Sequence, residues 1–176
     1  MDSAPEPRWL NAEEQQTWLA VVYLLARLPS ALDAQTQRDS GISLFEYQVL
    51  SGLSMAPRYS LRMSDLAEYT TSSLSRLSNV ASRLERRGWL CRTADPSDGR
   101  STRVVLTEAG LEKVVAAAPG HVEEVRRLLF DPLTKAQQGR LNQICRRVLR
   151  AIDPDEQRVD DPFKAIGRAA TAQQPE

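Results

Sequence analysis

Hydrophobic residues recur along most of this chain at spacings of three and four, which is typical of amphipathic helices. The pattern predicts helices over residues 11–40, 43–56, 64–69, 73–87, 108–130 and 134–152. Between the fourth and fifth helices, alternation at Val104 and Leu106 indicates a strand over residues 103–106, and residues 89–94 form its partner. Residues 61–63 form a short extended piece. The predicted order is therefore four helices, a two-stranded hairpin and two helices.

The predicted helix ends rest on local capping signals. A side-chain oxygen followed three residues later by Glu or Gln can form a capping box, and three such pairs stand where a predicted helix begins: Asn11 with Glu14, Ser43 with Glu46, and Thr134 with Gln137. Ser64 is the expected N-cap of the third helix, and Gly41 and Gly88 are expected helix stops. We expect Pro29 to kink or split the first helix, and Pro119–Gly120 to kink or break the fifth near His121.

The helix over residues 73–87 has the sharpest two-sided pattern. Its apolar stripe is expected to be core and consists of Leu74, Leu77, Ala81 and Leu84. The opposite face carries Ser75, Arg76, Asn79, Arg83 and Arg86. A hairpin follows whose expected tip, residues 95–102, carries Arg100. A helix-turn-helix followed by a hairpin is a winged helix, so we expect a mainly α-helical fold with a small β-hairpin wing.

Charge is unevenly distributed in this 176-residue chain, although its formal net charge is zero. Residues 58–103 carry nine arginines against five acidic residues, whereas residues 1–57 carry three basic and seven acidic residues. A concentration of arginine in one third of the chain is the pattern expected of a phosphate-binding surface. No apolar run is long enough to span a membrane, and no secretory pattern opens the chain, so a cytoplasmic location is expected.

Catalytic and metal-binding chemistry find little support. The chain has one histidine, His121, and two distant cysteines, Cys91 and Cys145. These residues form no zinc-ligand spacing, and neither a glycine-rich dinucleotide motif nor a Walker motif is present. We therefore expect no enzyme, no cofactor and no metal site. His121 is interpreted as structural, and both cysteines are expected to be buried and inert.

Three stretches resemble the MarR family of bacterial transcriptional regulators. LAEYTTSSLSRLSNVASRLERRGWL, residues 66–90, is similar to the family's helix-turn-helix, and DGRSTRVVLTEAG, residues 98–110, is similar to its wing pattern. A looser likeness covers APGH and LLFDPLTKAQQGRL further along. Together the stretches extend the resemblance over roughly residues 11–152.

The resemblance implies a homodimer on a pseudo-palindromic operator. Residues 1–10 would be an N-terminal arm, 11–40 a dimerisation helix, 41–107 the winged helix-turn-helix with its wing over 91–106, 108–152 the C-terminal dimerisation helices, and 153–176 a mobile tail. The wide apolar stripes of the terminal helices agree with burial against a second copy.

The same resemblance assigns roles in DNA binding. The helix over 73–87 would enter the major groove, where the groups around Ser72, Ser73 and Ser75 bind phosphate or base edges. Arg76 suits guanine, Asn79 suits adenine and Arg83 suits phosphate. In the wing, Arg100 resembles the family's minor-groove arginine, Asp98 would orient a basic side chain, and Arg103 is a further candidate contact.

The resemblance also suggests a repressor that releases its operator when a small aromatic or phenolic effector binds. Trp18, Tyr23, Phe45 and Tyr47 are close enough in sequence to line an effector crevice, although aromatic residues of this kind are more often core. Two alternatives remain open. One is a regulator that senses oxidants through cysteine, and the other is a helical interaction module without a DNA role, whose protein binding would be insensitive to salt.

Overall fold

The structure is a computed structural model that describes residues 6–95 and 98–153. The helices are α1 (Ala12–Ser40), α2 (Leu44–Met55), α3 (Met63–Tyr69), α4 (Leu74–Arg86), α5 (Glu108–Val125) and α6 (Lys135–Ile152). The strands are β1 (Ser60–Arg62), β2 (Leu90–Asp95) and β3 (Asp98–Leu106). A 3₁₀ turn, Pro57–Tyr59, precedes β1, and a π-helical turn, Arg126–Phe130, follows α5. Residues 1–5 of the expected arm, and the expected tail beyond Asp153, lie outside the described residues.

The three strands form one antiparallel sheet in the order β1-β3-β2. Leu61 lies opposite Val104, and Leu90 lies opposite Leu106, so the short extended piece predicted near residue 61 is an edge strand beside the hairpin. The backbone of β3 begins at Asp98, five residues earlier than the alternation indicated. The connection at the hairpin tip is therefore shorter than predicted.

The core lies where α2, α3 and α4 pack against this sheet. Leu50, Leu66, Leu77, Leu84 and Val104 are fully buried there. Burial of an aliphatic side chain contributes about 1.5–3 kcal/mol, so this cluster holds the helix-turn-helix and the hairpin as one unit. The fold is mainly α-helical with a small sheet, as the sequence predicts.

Capping chemistry determines most helix ends. The predicted capping boxes are present at Asn11, Ser43 and Thr134, each with both reciprocal hydrogen bonds. The expectation for Ser64 is wrong, because α3 begins one residue earlier at Met63 and has no side-chain cap. The Ser64 hydroxyl instead bonds the Asp65 carboxylate at 3.0 Å.

The expected split of α1 at Pro29 and the expected break of α5 at Pro119–Gly120 are wrong, whereas the kinks expected as alternatives stay predictions. α1 continues through Pro29 as a single helix of 29 residues, because proline removes one backbone hydrogen bond and a long helix survives that loss. α5 continues through Pro119 and Gly120. A Cβ at Gly120 would lie 3.1 Å from the Gln35 amide nitrogen, so this glycine permits close packing of α5 on α1 rather than a break.

Much of the apolar surface on the terminal helices is exposed. Trp18 and Leu25 on α1 are 55% and 66% exposed, and Ile144 and Ile152 on α6 are 59% and 73% exposed. These side chains are not packed into the core of the single chain. Within the described residues, no helix combines the length and the hydropathy needed to cross a bilayer.

Candidate nucleic-acid interface

The helix α4 is anchored by one face and capped at its start. Leu77, Val80, Ala81 and Leu84 are buried, whereas Ser73, the N-cap, accepts a hydrogen bond from the Arg76 amide at 3.3 Å. The predicted helix start near residue 73 is therefore confirmed. The Ser73 side chain bonds the Arg76 amide. The other backbone amides at the start of α4 have no acceptor within the helix, and such amides can bind anions.

The outward face of α4 is polar. Ser75, Asn79 and Arg86 are exposed and fall within a narrow sector opposite the buried stripe, at about 100° per residue. Leu74 departs from the prediction, because it is 56% exposed rather than part of the core. An exposed leucine therefore lies beside the first turn of polar residues.

Arg76 lies on the flank of α4 that faces α2. Its side chain is exposed, and its guanidinium carbon lies 4.2 Å above the centre of the Phe45 ring. A cation over an aromatic face is attracted by the ring's quadrupole, which gives this arginine a defined resting position. The sequence pattern correctly placed Arg76 on the polar side of the helix but gave no signal for its contact with Phe45.

Arg83 is engaged in an ion pair. Its guanidinium lies 3.3 Å from the carboxylate of Glu46, which is 8% exposed and also accepts the Ser43 amide in the α2 capping box. About half of the Arg83 side chain is exposed, so it still faces solvent. The pair joins the start of α2 to the last turn of α4.

The turn before α4 carries the remaining serine candidate. Ser72 is half-buried and its hydroxyl lies 2.9 Å from the Thr70 hydroxyl. Thr71 between them has a φ of 48°, a left-handed conformation that is uncommon for threonine. The tight turn brings Thr70, Ser72 and Ser73 together at the entrance to α4.

The exit from α4 leads directly into the wing. Gly88 has a φ of 74°, and the amides of Gly88 and Trp89 bond the carbonyls of Glu85 and Leu84 at 2.9 and 3.0 Å. This is a Schellman motif, and it aims the chain into β2. Hydrogen bonds from Arg92 hold the pKa of the Glu85 carboxyl below its ordinary value, which ties the end of α4 to β2.

At the root of the wing, Asp95 is the hub of an ionic cluster. Its side chain is 2% exposed and lies 2.7 Å from Arg62 and 3.4 Å from Arg103. Arg103 also donates to the hydroxyl of Ser60 at 3.0 Å and to its carbonyl at 3.2 Å. Asp95 was not predicted as a structural hub, because its only signal in the sequence is its place before Pro96 at the hairpin turn.

The wing tip is described only by its backbone. Asp98 begins β3, and residues 98–101 continue the strand. The side chains of Asp98 and Arg100 lie outside the described part of the structure, so their predicted roles stay predictions. Arg103 belongs to the root cluster rather than to the tip.

Two clefts separate α4 from α1 and α2. They have volumes of about 390 and 320 Å³, and both are lined by Asp33, Phe45 and Arg76. Of the four aromatic candidates, only Phe45 lines them. Tyr23 and Trp18 are exposed on α1, and the Tyr47 ring lies 4.3 Å from the His121 ring, where burial lowers the pKa of His121.

The prediction that both cysteines are buried is wrong. Cys91 and Cys145 are free thiols and are exposed. Cys91 lies on β2 next to buried Leu90, and it faces outward because successive residues of a strand point to opposite sides. Cys145 lies on the apolar side of α6, which does not pack into the core of the single chain.

The chain resembles known transcriptional regulators in sequence and fold. A sequence profile described as the MarR family matches residues 40–101. The chain is 29% identical over 120 residues to the transcriptional repressor MprA of Escherichia coli, covering 68% of each protein. A crystal structure of Sco3205, a MarR family transcriptional regulator from Streptomyces coelicolor in complex with DNA, is 44% identical, with a TM-score of 0.82 over 86% of this chain and 94% of that one.

A second solved structure agrees. AbsC, a MarR family transcriptional regulator from Streptomyces coelicolor, is 34% identical with a TM-score of 0.79, over 83% of this chain and 98% of that one. These likenesses extend beyond the winged helix to the terminal helices. The similar proteins are transcriptional regulators, which agrees with the expectation that the chain is not an enzyme. The chain belongs to the MarR family of transcriptional regulators.

Proposed function

We propose that this chain is a sequence-specific, double-stranded DNA-binding repressor that acts as a homodimer in the bacterial cytoplasm. The observation that carries the proposal is the outward polar face of α4, with Ser75 and Asn79 exposed on a helix whose other face is locked into the core. A rigid helix of this kind fits the major groove. The similar protein Sco3205, whose crystal structure is a complex with DNA, supports the same interpretation.

The first two turns of α4 contact the base edges. Asn79 suits the N6 and N7 edge of adenine, and Arg76 suits the O6 and N7 edge of guanine once its guanidinium leaves the Phe45 ring. Ser73 and Ser75 bind phosphate or base edges, and Ser72 braces the turn. Arg83 contacts a phosphate with its exposed side while it stays paired with Glu46.

The wing supplies the second contact in this proposal. Arg100 enters the adjacent minor groove, and Asp98 orients it by a charge-assisted hydrogen bond. The bonds of Arg103 to Asp95 and Ser60 support a role at the wing root, where it holds the hairpin at a fixed angle.

The second copy covers the apolar faces of α1 and α6. Large apolar side chains that are more than half exposed on these helices, such as Trp18, Leu25, Ile144 and Ile152, suit burial against a second copy. Two copies related by a two-fold axis would present two α4 helices to half-sites about 34 Å apart. The matching operator is pseudo-palindromic.

A small aromatic effector fits the clefts beside α4. Phe45 offers an aromatic face, and Arg76 offers a cation that suits an acidic or phenolic oxygen. An occupant that holds Arg76 in the cleft removes it from the DNA, so ligand and operator compete through one side chain. The exposed thiols Cys91 and Cys145 keep oxidant sensing as a second candidate, which peroxide treatment of the operator complex tests.

The proposal is tested by Arg76→Ala on an operator selected from random duplexes. We expect a loss of about 1–3 kcal/mol in binding free energy and relaxed preference at one base pair per half-site, because a bidentate guanine contact disappears. Affinity is measured by fluorescence anisotropy across salt concentrations. The wild-type salt slope should approach −0.9 per neutralised phosphate.

Arg140→Ala is the matched control, because it removes an exposed arginine from α6 instead of α4. Its affinity should equal that of the wild type. If selection enriches no duplex, or if binding of the wild type is independent of salt, the DNA-binding proposal is wrong and an interaction module is favoured. If Arg76→Ala loses random and operator DNA equally, Arg76 contacts phosphate.

A further inference from the structure

We propose that Leu74 is a specificity-determining residue that reads the 5-methyl group of a thymine in each operator half-site. The inference rests on the DNA-binding function proposed above and names one base that the recognition surface selects. Its starting point is the exposure of Leu74, which is 56% exposed although the helical pattern places it on the apolar stripe of α4.

The position of Leu74 explains its exposure. Leu74 and Ala81 are seven residues apart, about two helical turns, so they lie on almost the same side of α4. Ala81 is 0% exposed, whereas Leu74 is 56% exposed. The same side of the helix is therefore buried in the middle and uncovered at the start. The first turn of α4 projects beyond the core, as it must to reach the floor of a groove.

The neighbours of Leu74 show what this projecting turn faces. Thr71, Ser73 and Ser75 are all exposed, so the turn is small and hydroxyl-rich around one large apolar side chain. The terminal-helix clusters of exposed apolar residues lie on α1 and α6, and Leu74 belongs to neither. An isolated leucine among short polar residues gives the turn one apolar contact point.

The chemistry of the major groove selects the partner. Leucine has neither donor nor acceptor, and the apolar group that a base pair presents in that groove is the thymine methyl. Against guanine, adenine or cytosine, the leucine would cover a polar edge without replacing its hydrogen bonds to water. Burial of one methyl group contributes about 0.8 kcal/mol, which corresponds to about a four-fold change in affinity.

Uracil substitution tests the contact directly, because uracil lacks only the methyl group of thymine. Each thymine of the selected operator is replaced in turn, and the Kd is measured for the wild type and Leu74→Ala. We expect one thymine in a half-site where uracil weakens wild-type binding about four-fold and leaves the affinity of Leu74→Ala unchanged. Ser75→Ala, on the same turn, is the matched control and should keep the four-fold uracil penalty.

Leu74→Met guards against a purely structural effect, because methionine retains an apolar side chain of similar volume and should retain the penalty. Thermal unfolding of each variant shows whether it is folded. Equal uracil penalties in the wild type and Leu74→Ala, or an operator without a thymine in the half-sites, would overturn the Leu74 assignment while DNA binding stands. Failure of the wild type to select any duplex would overturn both proposals.

Discussion

Asp95 shows how one buried carboxylate can determine the pose of the hairpin wing. It lies at the end of β2 with 2% of its side chain exposed, and it binds Arg62 at the end of β1 and Arg103 in β3. The three residues come from three separate elements. Asp95 therefore links the three strands of the sheet at the point where the wing leaves the core.

Asp95→Asn tests this role at the scale of one residue. We expect the free energy of unfolding to fall by about 1–3 kcal/mol, because two arginines lose a charged partner in a site shielded from water. Urea unfolding followed by circular dichroism measures the change. Asp131→Asn is the control, since Asp131 pairs with Arg126 at 3.4 Å while 52% exposed, and such a pair contributes about 0–1 kcal/mol. Equal losses in both variants would contradict the special role of Asp95.

Sequence patterns identified the arginines of the recognition region but not their partners. Helical spacing put Arg76 and Arg83 on a polar face because that information is local. Glu46, which binds Arg83, is 37 residues away in the chain, so no local pattern reveals the pair. The exposure of Leu74 was missed for a related reason, since periodicity assigns a side of the helix and not how far the core extends along it.

At the scale of elements, the same contrast separates the correct helix ends from the wrong ones. Capping boxes at Asn11, Ser43 and Thr134 depend on residues three apart, and all three were predicted. The continuity of α5 depends on contact with Gln35 of α1, and the π-helical turn after it has no recognised local signal. Tertiary packing overrode the proline and glycine signals there.

Gly110 provides an element-scale prediction for the junction of α5 with the wing. A Cβ at this position would lie 1.9 Å from the backbone carbonyl oxygen of Trp89, a distance that requires the backbone to move. We expect Gly110→Ala to cost about 1–3 kcal/mol of unfolding free energy and to weaken operator binding, because the first turn of α5 is pushed from the base of the hairpin.

The control for this change is Gly139→Ala in α6, where a Cβ would meet nothing within 4 Å. Alanine there should stabilise the helix by about 0.5–1 kcal/mol, since it reduces the backbone freedom of the unfolded chain. Differential scanning calorimetry should therefore show opposite shifts in Tm. A destabilisation of similar size in both variants would argue against a specific close approach at Gly110.

At the scale of the whole molecule, the formal net charge is zero, but the basic and the exposed apolar side chains are concentrated in different parts of the chain. The arginine-rich third contains α4 and the hairpin, whereas most of the exposed large apolar side chains lie on the terminal helices. We propose that one surface meets DNA and the other a second copy. The winged helix was predictable because its pattern is contiguous, and the wide apolar stripes of the terminal helices were also visible in the sequence, whereas the exposure of each apolar side chain depends on how the helices pack.

Leu25→Glu tests the proposed pairing of two copies. Leu25 is 66% exposed on α1, and a carboxylate there would lose its hydration on burial, so we expect the dimer to dissociate and operator affinity to fall by at least ten-fold. Analytical ultracentrifugation and anisotropy report the two effects. Tyr59→Glu, a 38% exposed aromatic in the turn before β1, should change neither. A dimeric Leu25→Glu protein would show that the interface lies elsewhere.

The unbroken length of α1 has a mechanical consequence. Twenty-nine helical residues form a rod of about 43 Å. Its first half carries the exposed Trp18 and Leu25, whereas Gln35 and Thr36 near its far end are buried against the body that holds α4. A pivot of about 5° at one end moves the other by about 4 Å, roughly one base-pair step along the duplex axis. In the dimer proposed above, small angular adjustments between the two copies would decide whether both α4 helices fit or miss successive turns of DNA.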